Sequence, residues 1–136
     1  MTATDSEFNH WDLAALIKSE SSATVEKKYA IVDVRDSDFR GGNIPGCFRL
    51  PSREANAEKY AQLAVELKDK EHVVFHCVMS QVRGPKAATR YAEALAKAYP
   101  ESKQEVHILR EGFAGFQSKY RKDPELVEKF IKAAWD

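Results

Sequence analysis

Two hydrophobic periods take turns along this chain. Short runs in which nearly every position is apolar, YAIVDV at 29 to 34, HVVFHC at 72 to 77 and EVHILR at 105 to 110, predict strands, the compact HVVFHC run being of the kind buried on both faces of a parallel sheet. Between them apolar residues recur every three or four positions, the mark of amphipathic helices. Asn9 caps one such helix, which carries Trp11, Leu13, Leu16 and Ile17. Ser52 caps a second that reaches Asp69, with Tyr60, Leu63, Ala64 and Leu67 on one face. A third runs from Gly84 to about Ala98 on Ala87, Ala88, Tyr91 and Leu95, and Tyr99-Pro100 stops it. Two more close the chain: Phe113 to Tyr120, and a segment opened by Asp123-Pro124 that turns Leu126, Val127, Phe130 and Ile131 inward. The polar stretch SESSATVEKK at 19 to 28 predicts a surface loop, and Gly41-Gly42 with Ile44-Pro45-Gly46 marks turns before Leu50. Strands alternating with helices imply an α/β fold, a mainly parallel sheet covered on both faces.

Length and charge narrow the picture. At 136 residues the chain is expected to form one domain over 1–136. Lys plus Arg number 21 and so do Asp plus Glu, so no bulk positive charge draws a phosphate backbone, and a nucleic-acid partner is not expected. No apolar stretch approaches the ~20 residues of a membrane span. Two cysteines, Cys47 and Cys77, are too few for a disulfide framework and suit a reducing compartment. The amino terminus MTATDSEFNH lacks the basic and apolar regions of a secretory signal. The expected location is cytoplasmic, with passive passage into the nucleus allowed.

The chemistry concentrates at one junction. In open α/β sheets ligands collect where strands end and the next helices begin, and here that junction reads HCVMSQVRGPKAA. Cys77 ends the strand and Arg83 stands at the helix entrance, followed by a first-turn proline, Pro85. The residues between, Val78, Met79, Ser80, Gln81 and Val82, must turn tightly, and a loop wrapping there aims successive backbone N–H groups at one point. A helix terminus and a guanidinium both favour a thiolate, which makes Cys77 a nucleophile. The planar fork of Arg83 can hold two oxygens of a tetrahedral or bipyramidal oxyanion, as lysine could not. A lone cysteine at a strand end would read as a small buried hydrophobe. Cys, five residues, Arg, Gly and Pro between a buried strand and an amphipathic helix instead fits covalent attack on phosphate or a mimic such as arsenate.

These residues resemble a known family. HCVMSQVRGP is similar to the His-Cys-(x)5-Arg-Gly-Pro signature of the cell-division-cycle-25 phosphatases and their small relatives, the fungal itsy-bitsy phosphatases and the Acr-type arsenate reductases. IVDVRDSDFRGGNIPGC resembles the first rhodanese-homology motif and HILREGFAGFQ the second, so the likeness spans about residues 8 to 120. It implies a rhodanese-like three-layer domain with about five strands, and a protein tyrosine phosphatase working through a thiophosphate on Cys77. The alternative it implies is an arsenate reductase using the same cysteine, with glutathione as reductant and glutaredoxin as partner; otherwise no cofactor is expected. Sulfurtransferases of this fold have an active loop one residue shorter, which puts thiosulfate-type sulfur transfer behind both readings. A phosphate-binding module with a vestigial site is a third class, which the retained Cys77 and Arg83 argue against.

One departure stands out. The cell-cycle phosphatases carry glutamates directly after the cysteine and directly before the arginine, where this chain has Val78 and Val82. Replacement general acids are sought in Asp36, Asp38 and Glu111, each at the end of a strand. His76 precedes the nucleophile and so faces away from it; it is expected to shape the loop through a ring hydrogen bond, with Asp33 and Arg35 as scaffold. Ser80 offers a hydroxyl to the thiolate or to the loop backbone. Cys47 reads as structural, and Asn43, which replaces the histidine common in the first motif, is expected to affect only packing. His10, His72 and His107 have no metal-ligand spacing, so no metal site is predicted.

Overall fold

A computed structural model describes residues 7–21 and 27–136. Five strands pair in parallel in the order β1-β5-β4-β2-β3: β1 (Glu7–Phe8), β2 (Tyr29–Asp33), β3 (Phe48–Arg49), β4 (His72–His76) and β5 (Glu105–Leu109). Helices α1 (His10–Ser19), α2 (Ala57–Glu66) and α3 (Arg83–Ala98) connect β1 to β2, β3 to β4 and β4 to β5, and α4 (Gly112–Tyr120) follows β5. The α/β fold expected from the alternation of periods is therefore the observed one, with five strands in three layers.

Alternation along each strand sorts its side chains between the layers. Ala30, Val32, Val73, Phe75, Cys77, Val106 and Ile108 face α2 and α3, packing on Tyr60, Leu63, Ala88 and Tyr91. Ile31, Val74 and Leu109 face α1 and α4, meeting Leu13, Ile17, Phe113 and Phe116. Both faces of the central strands are thus dry, which is why these strands read as nearly continuous apolar runs. Among the described residues no helix is long and apolar enough to cross a membrane.

Three expectations need correction. The cap of α2 is Asn56, whose Oδ1 accepts the Lys59 amide at 2.9 Å, and not Ser52. Ser52 instead donates to Asp36 Oδ2 at 2.6 Å, because residues 52–54 are held as a turn against the β2 loop. The carboxyl-terminal segment forms no α-helix beyond a 3-10 turn at Lys132–Ala134. Lys129 takes a left-handed φ of 56°, Glu128 makes an antiparallel bridge with Asn43, and the Ile131 amide donates to Gly41 O. The tail is strapped to the 41–43 turn, so Leu126 and Val127 are buried as expected while Ile131 is 52% exposed. Asn43 does more than pack: its Nδ2 donates to Glu128 Oε2 at 2.8 Å. The loop expected at 19 to 28 lies partly outside the described residues.

Candidate active site

The dry strand β4 ends at His76, and the chain turns through residues 77–82 into α3. Cys77 lies on the α2/α3 side, 4% exposed, whereas His76 is fully buried on the opposite side. His76 Nδ1 lies 3.1 Å from the Cys77 carbonyl; a carbonyl only accepts, so this nitrogen carries a hydrogen. The carbonyls of Cys77 and Val78 are drawn outward by the first amides of α4, Phe113 N at 3.0 Å and Ala114 N at 2.9 Å. With those carbonyls tied back, the N–H groups of Val78, Met79, Ser80, Gln81 and Val82 find no protein acceptor among the described residues. That is the arrangement an oxyanion nest requires.

Two glycines make the approach of the helices feasible. A Cβ on Gly84 would sit 3.4 Å from His76 Cα, so α3 starts almost in contact with the strand end. Gly112 has φ +59°, and a Cβ there would lie 2.2 Å from the Val78 carbonyl oxygen. Sequence reasoning misses this second requirement, although Gly112 stands inside the Leu-x-x-Gly-Phe motif that signals it. Ser80 is buried with a left-handed φ of 56°, and its Oγ has no hydrogen-bond partner. Met79 and Val82 form an apolar rim, 50% and 71% exposed.

Arg83 is the first residue of α3, and its guanidinium is gripped by two of the sought-after acids. Nη1 and Nη2 donate to Asp38 Oδ1 and Oδ2 at 3.0 and 2.7 Å, and Nη1 reaches Asp36 Oδ2 at 3.5 Å. The Asp38 hydrogen bonds raise the Arg83 pKa above its ordinary value, and Cys77 is close enough for a thiolate charge to add to this. In return Arg83 holds the Asp38 carboxyl below the usual carboxylate range. At Asp36 burial pushes upward, but hydrogen bonds from Ser52 and the Arg53 amide outweigh it and the net shift is down. Carboxyls held ionised suit a guanidinium clamp and not proton donation. Glu111 stands apart from this group, at the left-handed turn before α4, with Oε1 3.7 Å from His10 Nδ1.

Behind the loop lies a second ion pair. Arg35 Nε and Nη2 donate to Asp33 Oδ1 and Oδ2 at 3.0 and 2.6 Å, Nη2 also reaches Gly42 O at 2.9 Å, and the guanidinium lies 4.4 Å over the Phe113 ring. Asp33 is in register with His76 across β2 and β4 and lies 3.7 Å from its Nε2, so this pair buttresses the strand end from which the loop springs. Cys47 packs in the α1/α4 core, on the other side of the sheet from Cys77. Burial, aided by the Asp33 charge, pushes its thiol up to about 11.

Known proteins resemble the chain in sequence and in fold. The chain is 35% identical over 114 residues to the dual specificity phosphatase ibp1 of Schizosaccharomyces pombe, covering 73% of this chain and 82% of that one. Its fold matches Ygr203w, a yeast protein tyrosine phosphatase of the rhodanese family, with TM-score 0.80, 26% identity and 96% of each chain covered. It also matches the As-Sb reductase from Leishmania major with TM-score 0.77 and 34% identity, over 90% of this chain and 83% of that one. The rhodanese-like domain matches residues 13–119. From α1 through the strand carrying Asp33 to the helix that pins the loop, the chain belongs to the rhodanese-like domain family.

Proposed function

We propose that this protein is a cysteine-dependent phosphatase acting on phosphotyrosine in proteins. The observation that carries the reading is the loop from Cys77 to Arg83, in which the Cys77 and Val78 carbonyls are tied to α4, the amides of residues 78–82 are left without an acceptor among the described residues, and the thiol is sheltered. Cys77 Sγ attacks phosphorus as the bond to the phenolic oxygen breaks, and the electron pair leaves on that oxygen. The loop amides and, once released from Asp38, the Arg83 fork take the equatorial oxygens of the transition state. Water then attacks phosphorus, the S–P bond breaks, and inorganic phosphate and the thiolate are regenerated. Val78 and Val82 bring no carboxyl to the loop, and the Asp36 and Asp38 carboxyls sit ionised on Arg83. A leaving group must then depart with little help, which favours phenolate, with a pKa near about 10, over a serine or threonine alkoxide. The apolar rim of Met79 and Val82 suits an aromatic ring.

A second reading uses the same site for arsenate, supported by the 34% identity to the As-Sb reductase and the loop without carboxylates. Cys77 bonds arsenic with loss of water, and glutathione attacks the Cys77 sulfur, so that the S–As bond breaks and its electron pair stays on arsenic. The two thiols give up two electrons as arsenic goes from the +5 to the +3 state, and the resulting Cys77–glutathione disulfide is reset by a glutaredoxin.

Hydrolysis of para-nitrophenyl phosphate by wild type, Cys77→Ser and Arg83→Ala protein under reducing conditions tests the first reading. Activity in the wild type, absent in Cys77→Ser and about 10²–10³-fold lower in Arg83→Ala, is expected. Undiminished hydrolysis by Cys77→Ser would overturn it. No hydrolysis at all, with glutathione-dependent arsenate turnover that needs Cys77, would move the assignment to the second reading.

A further inference from the structure

We propose that His72, Glu105 and His107 form a binding site for a zinc-class divalent ion at the foot of the sheet, remote from Cys77. The chain spacing gives no hint of it, because the ligands come from two strands. Parallel pairing of β4 and β5 sets His72 directly beside Glu105, and His107 follows two residues later on the same face. His72 Nδ1 lies 3.1 Å from His107 Nε2, and Glu105 Oε1 lies 3.5 Å from His107 Nε2 and 3.8 Å from His72 Nδ1. A point equidistant from these three atoms is about 2.0 Å from each, the bond length of zinc to imidazole nitrogen and carboxylate oxygen. The three donors thus form a triangle whose centre is already at bonding distance, and an ion displaced about 0.5 Å from their plane keeps all three bonds at about 2.1 Å and leaves its open side to water.

The surroundings hold the rings in place. Phe8 of β1 stacks on the His107 imidazole with centroids 4.6 Å apart, and the two imidazoles stack on each other at 5.3 Å. His107 is buried, His72 is partly exposed and Glu105 is exposed, so an ion reaches the pair from the carboxylate side. In its absence one ring must donate to the other; the ion replaces that shared proton with two bonds and neutralises Glu105. Two imidazoles and one carboxylate select a borderline ion of the zinc type over calcium or magnesium, which prefer oxygen. His72 opens β4 and Cys77 follows its last residue, so the site is about 16 Å down the strand from the thiol.

The test is calorimetric titration of zinc into tag-free, full-length Cys47→Ser/Cys77→Ser protein, which removes both thiols as competing ligands. One equivalent is expected to bind, with affinity reduced at least tenfold by His72→Ala and by Glu105→Gln. Glu105 is exposed, so the second variant keeps the test sound if a histidine substitution disturbs folding. Zinc should also raise the melting temperature of the parent protein, and of neither variant, because the ion binds only the folded state. No zinc uptake by the parent, or uptake unchanged in both variants, would overturn the assignment. Neither result bears on phosphate or arsenate turnover at Cys77.

Discussion

Two Asp–Arg pairs flank the end of β2, alike in chemistry and opposite in consequence. Asp33–Arg35 is fully sequestered, and the Arg35 fork finds two carboxylate oxygens, a backbone carbonyl and an aromatic face. Asp38–Arg83 has an equally good two-point geometry, but its side chains are 38% and 32% exposed. Burial decides what each pair can do. A buried guanidinium without its carboxylate has nothing to replace it, so the inner pair is scaffold. The outer pair sits in water, where a tetrahedral oxyanion can compete with the carboxylate for the same fork, so it is a displaceable clamp.

The sharpest way to break this comparison is to remove one carboxylate from each pair. Asp33→Ala strands Arg35 in the core and is expected to lose about 3–5 kcal/mol in urea unfolding, while Asp38→Ala loses less than about 1 kcal/mol. Equal losses would mean that burial does not separate the pairs. Exchanging the cations inverts the pattern of activity. Arg83→Lys keeps a charge but not the fork, and kcat for para-nitrophenyl phosphate should fall about 10²-fold with stability changed by no more than ~0.5 kcal/mol. Arg35→Lys should show its effect first in the unfolding midpoint.

Acid distinguishes the pairs more gently. Burial holds His76 below the ordinary imidazole value. At Asp33 burial pushes upward, but the facing His76 and the Arg35 hydrogen bonds outweigh it, and the carboxyl sits below its usual range. At both groups the unfolded chain takes up a proton that the folded protein refuses, so stability rises with pH where they titrate. Their contributions are complete above the unfolded values. As pH falls, loss begins near about 6.5 with His76 and continues below about 4 with Asp33, at most ~1.4 kcal/mol per pH unit from one group. Melting curves at pH 7.5, 5.5 and 4.5 check this, and a flat profile from 7.5 to 5.5 would contradict the assignment of His76. His76→Gln should flatten that first limb alone.

The inner pair and the strands are legible in the sequence because local pattern dictates them. Dry strands announce themselves as apolar runs, and period two along β4 is enough to place His76 and Cys77 on opposite faces. Cys77 and Arg83 are legible because their spacing is itself the loop. Contacts between distant segments are not. Nothing local tells that Asp38 reaches across 45 residues to Arg83, or that Gly112 must be bare because Val78 O lies where its Cβ would be. The final helix misleads for the same reason: Leu126, Val127 and Phe130 carry a helical period, but bonds to the 41–43 turn outcompete it.

The clamp leads to the smallest effect and the most informative one. Asp38→Asn keeps the shape and removes the charge that holds Arg83. If Asp38 competes with substrate for the fork, each binding event must first break its two hydrogen bonds, and relieving that competition lowers KM without moving the transition state. An exposed pair is worth up to about 1 kcal/mol, so the gain is no more than about fivefold. The apparent affinity for phosphate or arsenate as competing ligands should rise by the same factor, since the same fork binds them. If Asp38 instead aims Arg83 at the nest, its loss leaves the guanidinium wandering and kcat falls. A lower KM at constant kcat therefore identifies a competitor, and a lower kcat at constant KM a positioning residue. Asp36→Asn supplies the control, because its contact with Arg83 is 3.5 Å against 2.7 Å for Asp38, and its other oxygen and its Ser52 bond hold the β2 loop. The clamp reading predicts a smaller change in KM there and a larger change in stability.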